Sequence, residues 1–147
     1  MSQVDAASAD DLIAIRALLQ RSGLPTSDLE SARPEFAVMR EDGEVIAAGA
    51  LQRFGSAALL RSVVVAPHRR GSGLGQAMVT GLEHMACAAR ISRLVLLTQT
   101  AAEFFARQGY RVIERGSAPE DMQGSEEFRS LCPSSATCMA KSLPDSA

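Results

Sequence analysis

The chain has 147 residues, 46% of them apolar and 22% charged, with a formal net charge of −2 and a pI near 5.7. That length is enough for one domain that buries roughly 70% of its unfolded surface without metal or disulfide staples. The charge balance excludes a broad basic footprint for nucleic acid, and no apolar run reaches the ~18 residues of a membrane helix. The polar, acidic start from Met1 to Asp10 lacks the form of a signal peptide. Three cysteines, an odd number, point to reduced thiols. The expectation is one cytoplasmic domain over residues 1–147. Of 15 basic residues only Lys141 is a lysine, an arginine excess read as compositional.

Ser8-Ala-Asp-Asp11 reads as a helix start, with a capping serine and two acids at the positive dipole end. Leu12, Ile15, Leu18 and Leu19 recur at helical spacing until Gly23 and Pro25 stop the run. A short second helix is expected near Ser27–Ser31, and Pro34 then forces extended backbone. Phe36–Arg40 and Val45–Arg53 read as strands joined by a tight Asp42-Gly43 turn. After Phe54-Gly55-Ser56, Leu59–Ala66 forms a third strand that ends at Pro67.

The pattern changes at Gly73. Leu74, Met78, Leu82 and Met85 mark one buried helical face to about Arg90. Leu94–Leu97 is a short buried strand, Ala101–Gln108 a helix, and Gly109 its left-handed stop. Tyr110–Glu114 is a strand, Arg115 to about Ser135 a polar loop, and Ala136–Lys141 a last strand. Ser142–Ala147 is expected to fray. The order predicts a mixed sheet with helices packed on it.

The most informative segment runs from Arg61 to Gln76: apolar strand, basic glycine turn, helix. Backbone N–H groups at a helix start are unpaired, the helix dipole favours anions there, and glycines let an anion approach the main chain. Arg69 or Arg70 can neutralise further phosphate charge. A packing turn is the plainer alternative. A Walker loop is excluded because Gln76, not a lysine, follows Gly75. A dinucleotide fingerprint is excluded because Gly71, Gly73 and Gly75 alternate.

Arg70-x-x-Gly73-x-Gly75 resembles the coenzyme-A motif of the Gcn5-related N-acetyltransferase superfamily. Phe104-Phe105-Ala-Arg-Gln-Gly109-Tyr110 resembles its second motif, an aromatic pair followed by Gly-aromatic. Leu96-Leu-Thr-Gln-Thr-Ala101 is similar to the acetyltransferase domain of bacterial N-acetylglutamate synthases. The tail from Glu127 to Lys141 is similar to small N-acetyltransferases encoded with arsenic-resistance genes. The resemblance implies an α/β (α+β) fold: a mixed, mostly antiparallel sheet of six to seven strands with flanking helices and splayed central strands. It implies acetyl transfer from acetyl-CoA, with no metal, to a small amino-acid-like amine. Resistance to arsenic or an antimetabolite, biosynthesis of an N-acetyl amino acid, and non-catalytic sensing of acetyl-CoA are the readings kept open. A homodimer fits the resemblance as well.

By the same resemblance, the N–H of Val63 polarises the thioester carbonyl, Val64 and Val65 line the pantetheine arm, and Phe105 adjoins it. Arg70, Gly71, Ser72, Gly73, Leu74, Gly75 and Gln76 hold the pyrophosphate. Phe105 stands where many members carry a proton-donating tyrosine, so water, Ser134, Ser135 or a cysteine becomes the candidate donor, and Tyr110 is read as core. No Asp or Glu lies on Leu51–Ala66 to act as base. Glu120, Asp121, Glu126 and Glu127 read as a solvated loop cluster that could reach in, and the base stays unassigned. Arg53 and Arg61 are the candidate substrate readers if strand parity turns both inward. His68 and His84 read as surface residues, and Cys87, Cys132 and Cys138 as small hydrophobes rather than metal ligands.

Overall fold

The computed structural model describes residues 3–144. Seven strands form one sheet in the order β1-β2-β3-β4-β5-β7-β6. They are β1 (Val4–Ala6), β2 (Glu35–Glu41), β3 (Glu44–Phe54), β4 (Ala57–Val65), β5 (Arg93–Thr98), β6 (Arg111–Val112) and β7 (Thr137–Ser142). Every pairing is antiparallel except β4 with β5. The helices are α1 (Leu12–Arg21), α2 (Leu29–Ala32), α3 (Leu74–Ala88), α4 (Ala102–Arg107) and α5 (Glu120–Gln123). A π-helical turn covers Glu127–Leu131. None of the described helices is long and apolar enough to cross a membrane.

Alternation along the strands sorts side chains between the two faces. Ala37 and Met39 of β2, Ala58 and Leu60 of β4, and Leu94 and Leu96 of β5 pack with Met78, Val79 and Leu82 of α3. On the opposite face, Ile15, Leu18 and Leu19 of α1 meet Val38, Ala48 and Val64. Further along that face, Leu59, Val95 and Ala140 meet Met122 and Phe128. The third cluster turns the segment expected as a polar loop into part of the core. Its few apolar residues are widely spaced, so no period announces them.

Other differences are local. β1 was not expected; it pairs with β2 from Val4↔Met39 to Ala6↔Ala37 and seats Val4 against Gly81 of α3. A Cβ on Gly81 would lie 2.7 Å from the Val4 Cβ, so the missing side chain makes room for the strand. β6 has two residues where five were expected: Arg111 and Val112 pair with Ala140 and Met139 of β7, and Ile113 adds one last N–H to the Cys138 carbonyl. At the C-terminus, Leu143 donates its N–H to the Ser92 carbonyl at 2.8 Å and is buried, so the chain stays docked there. The rest of the expected frayed stretch, 145–147, lies outside the described residues.

Two features of β4 position the cleft. Its parallel pairing with β5 covers only Ala57↔Arg93, Ala58↔Leu94 and Leu59↔Val95. Beyond those pairs the strands part. The register with β3 also slips between Ala48 and Ala50, opposite Ser62, which sits at φ 60° in the left-handed region. Such a bulge adds one residue to a strand and re-aims the side chains beyond it. Leu60 lies in the α3 cluster; after the extra Ser62, Val63 and Val65 pack there and Val64 lies towards α1.

Candidate active site

The parted strands line an open cleft of about 530 Å³. Leu60–Val65 form one wall, Leu96–Ala101 the other, and Ser22–Pro25, Arg70, Phe105, Glu127 and Cys132 complete it. The backbone supplies its chemistry. Ala66 donates its N–H to the Ile46 carbonyl at 2.8 Å, so the register makes Val64 with Ala48 the next hydrogen-bonded pair. The main-chain groups of Val63 and Val65 therefore turn away from β3, towards the space β5 has left. They form a sheet edge inside the molecule, suited to a ligand that carries amides and a carbonyl.

Arg70 brings the start of the glycine turn to the cleft; Gly71 to Gln76 lie beyond its lining, and Gly73 and Gln76 border a separate opening with Val4 and His84. Gly71 and Gly73 have φ of 81° and 82°, and a Cβ at either would meet nothing within 4 Å, so conformation rather than crowding favours glycine. No side chain caps α3 at Gly73, which leaves the N–H groups of Leu74, Gly75 and Gln76 free as at any helix start. Ser72 donates its hydroxyl to the Arg69 carbonyl, closing the turn on itself. Gly75 lies under the Phe104 ring, where a Cβ would sit 3.4 Å from it, an ordinary van der Waals contact. Arg70 reaches from the turn to Ser22 Oγ at 3.1 Å and to the Val65 carbonyl at 3.4 Å. Both partners are neutral, and among the described residues Arg70 has no carboxylate partner. The turn thus offers amides and an uncompensated guanidinium to an anion.

The two proposed substrate readers fare differently. Arg53 is half exposed and pairs with Glu35, Nη2 to Oε2 at 3.0 Å, outside the cleft lining. It lies at the turn end of the β3–β4 hairpin, opposite Ala58, where a surface carboxylate is its neighbour. Arg61 does line the cleft, yet its terminal nitrogens are engaged by Asp28, Nη1 to Oδ2 at 2.6 Å and Nη2 to Oδ1 at 2.7 Å. Nη1 also reaches Gln52 Oε1 at 3.0 Å, and Nε lies 3.4 Å from Glu127 Oε1. Burial works against its charge, but the Asp28 hydrogen bonds and the fields of Glu127 and Asp28 outweigh it, so the guanidinium holds its proton more tightly than a free one. A bidentate partner already fills its fork.

Of the carboxylates that matter, Asp28 gives no sign in the sequence, and Glu127 is one of four loop acids that read as solvated but could reach in. Asp28 is 2% exposed and Glu127 4% exposed, although each sits among polar neighbours that suggest a solvated surface. Burial, with a contribution from Asp28, outweighs Arg61 and pushes the Glu127 carboxyl up to about 7. Ser134 and Ser135 lie in an exposed turn and do not line the cleft. Tyr110 is buried, edge-on to Phe105, with its hydroxyl on Glu83 Oε2 at 2.8 Å. Burial and the Glu83 charge push its phenol far above the ordinary range, so it stays protonated as a core residue. Burial raises the Cys132 thiol to about 11, with Glu127 adding to the shift, and it raises Cys138 as well. Neither is a ready thiolate. Among the described residues, no group of three or more His, Cys, Asp or Glu side chains could hold a metal.

Comparison with known proteins agrees with this geometry. The chain is 27% identical over 104 residues to an "Amino-acid acetyltransferase" of Neisseria meningitidis serogroup A, a match covering 69% of this chain and 23% of that protein. The chain therefore spans about a quarter of the length of that curated relative. The N-acetylglutamate synthase of Neisseria gonorrhoeae, solved with coenzyme A and N-acetyl-glutamate, shares the fold at TM-score 0.84 with 22% identity, covering 98% of this chain and 35% of that one. A Mycobacterium tuberculosis protein solved in complex with CoA superposes at TM-score 0.82 with 28% identity, covering 97% of this chain and 99% of that one. The model of the "Acetyltransferase (GNAT) domain" matches residues 32–112, which hold β2 to β6, the bulge, the glycine turn and the aromatic pair, and this chain belongs to that family.

Proposed function

We propose that this protein transfers an acetyl group from acetyl-CoA to the amine of a small amino-acid-like substrate. The carrying observation is the parting of β4 and β5, with the main-chain groups of Val63 and Val65 turned into the gap and Arg70 bringing the start of the glycine turn to it. The unpaired amides and Arg70 suit a pyrophosphate. The edge of β4 suits the amides of a pantetheine arm, and the Val63 N–H suits a thioester oxygen that gains charge as the amine attacks. Backbone performs that last task, so a valine side chain is no obstacle. Acetyl-CoA supplies the activated acyl group, and the chain's own residues bind it, orient it and stabilise charge.

For the acceptor, the relatives named as amino-acid acetyltransferase and N-acetylglutamate synthase support an amino acid. Arg70 is the cleft's guanidinium without an acidic partner, and it can serve a substrate carboxylate if the pyrophosphate leaves it free. A role in arsenic or antimetabolite resistance rests on the tail from Glu127 to Lys141 alone. The non-catalytic alternative is favoured by one observation: Phe105 occupies the usual proton-donor position and Tyr110 is tied to Glu83. Three free cysteines fit a reducing compartment such as the cytoplasm.

Thiol release from acetyl-CoA, measured with a panel of L-glutamate, L-glutamine and phosphonate- or arsonate-bearing amino acids, tests this reading. Turnover of a proteinogenic amino acid supports a biosynthetic role, and selective turnover of the oxyanion analogues supports resistance. Tight acetyl-CoA binding with no release for any amine would leave only the sensor.

A further inference from the structure

Direct transfer to an amine has a proton problem. At neutral pH the acceptor arrives as an ammonium, which has no lone pair to attack with. Strands β3 and β4 contribute no carboxylate to the cleft lining. The opposite wall does. Glu127 enters from the π-helical turn, a distortion frequent at functional sites, and its side chain is 5% exposed while still lining the opening.

The charges around it do not balance. Two buried carboxylates, Asp28 and Glu127, face one guanidinium, and Asp28 takes both terminal nitrogens of Arg61. The Glu127 carboxylate is left with Nε at 3.4 Å and accepts no hydrogen bond from the described residues, although its main-chain carbonyl accepts from the Cys132 N–H. The Cys132 thiol, which is held neutral, is near Glu127 as well, and the field of Arg115 acts on that thiol. Arg115 is committed elsewhere, donating to the Phe128 carbonyl at 3.1 Å and to the Pro133 carbonyl. Those two bonds hold the stretch that follows Glu127, from Phe128 to Pro133. A carboxylate fixed in place, facing a cleft and short of a donor, matches an incoming ammonium.

We propose that Glu127 accepts the proton of the acceptor ammonium, with the Arg61–Asp28 pair as its positioning support; this assignment rests on the acetyl-transfer reading above. The Glu127 carboxylate takes one proton from the ammonium. The freed lone pair forms the C–N bond with the acetyl carbon, held at the Val63 N–H, and the C–S bond breaks. The departing thiolate takes the second proton from the new amide nitrogen, so no tyrosine is required. Glu127 then returns its proton to solvent through the open mouth of the cleft. A carboxyl that titrates close to the working pH suits this task, and burial raises Glu127 to about 7.

The test uses whichever amine of the panel is turned over, with Glu127→Gln, Glu127→Asp and wild type followed across pH. Wild-type kcat/KM should rise with pH to a limb near 7. Glu127→Gln should lose that limb and fall by ~10²-fold or more at neutral pH, while Glu127→Asp recovers part of the rate. Coenzyme A affinity by calorimetry should be unchanged in both variants, which separates proton transfer from a collapsed site. Glu127→Gln should also melt at or above the wild-type temperature at alkaline pH, because it mimics the protonated carboxyl. Retention of the wild-type rate and limb in Glu127→Gln would overturn the assignment and leave the transfer reading intact. A wild-type protein that binds coenzyme A but acetylates no amine would remove the transfer reading, and this one with it.

Discussion

Replacing Asp28 with asparagine strands the Arg61 charge. Asp28 offers two oxygens at 2.6 and 2.7 Å to the two terminal nitrogens; asparagine keeps one acceptor and turns an NH₂ towards the other N–H. Removing one member of a buried pair costs about 3–5 kcal/mol, because the remaining charge is neither solvated nor matched. Gln52 at 3.0 Å and Glu127 at 3.4 Å still face the guanidinium, which places the loss near the low end, about 3 kcal/mol. For a chain of this size that is a fall in Tm of roughly 10 °C by circular dichroism. Adding Arg61→Gln removes the stranded charge and should restore most of the loss. The same substitution reaches Glu127. Asp28 helps to raise that carboxyl, so its removal lets the field of Arg61 pull the kcat/KM limb below 7. A fall in Tm under about 3 °C, or a limb that does not move, would refute the description of this cluster as a tight, dry pair with Glu127 coupled to it.

Three further outcomes concern other parts of the chain. Gly73→Val places a β-branched residue at φ 82° for ~1–2 kcal/mol of strain and adds bulk where the anion approaches, so coenzyme A affinity should fall ~10-fold or more; unchanged calorimetric affinity would remove the turn from the site. Tyr110→Phe deletes the hydroxyl bonded to Glu83, which Lys141 still holds at 3.1 Å, so stability should fall by about 1 kcal/mol in urea titrations with kcat unchanged. Wild-type stability should decline as pH rises from 4.5 to about 7, then level off, because the unfolded chain ionises Glu127 first and the folded state keeps its proton longer. Thermal melts across that window check the sign, and a Glu127→Gln variant that declines equally would place the effect in another group.

The elements that sequence made legible are those with a long, regular period. β2, β3, β4 and α3 each carry enough residues for alternation or helical spacing to appear, and the glycine turn has both composition and context. β1 has three residues and no pattern of its own; its place is set by Gly81 on a helix far along the chain. Arg61 was recognised but its partner was not, since Asp28 stands in a polar stretch and finds Arg61 across 33 positions. Glu126 and Glu127 look alike in sequence, yet one is exposed and the other buried, because the π-helical turn sends them to different sides. Met122 and Phe128 are too few and too far apart to set a period, which is why the inward turn of this segment stayed hidden.

The three residue pairs between β4 and β5 also govern how the molecule comes apart. On one side of that seam, β2, β3 and β4 form a meander whose contacts are short in sequence, with β1 added at its edge; on the other, β7 lies between β5 and β6 and pairs with β5 across 39 to 49 residues. The β2–β4 block can assemble from local hairpins, whereas the seam and the β5–β7 ladder both close long loops, and the seam repays that closure with three residue pairs against six. Amide hydrogen exchange should therefore divide the sheet into two cooperative blocks that open separately, with slow protection in both and a weak line at Leu59 and Val95. A cosubstrate lying along β4 and β5 would bond across that line. Its binding would slow exchange in both blocks together, so that occupancy of the cleft makes one folding unit out of two.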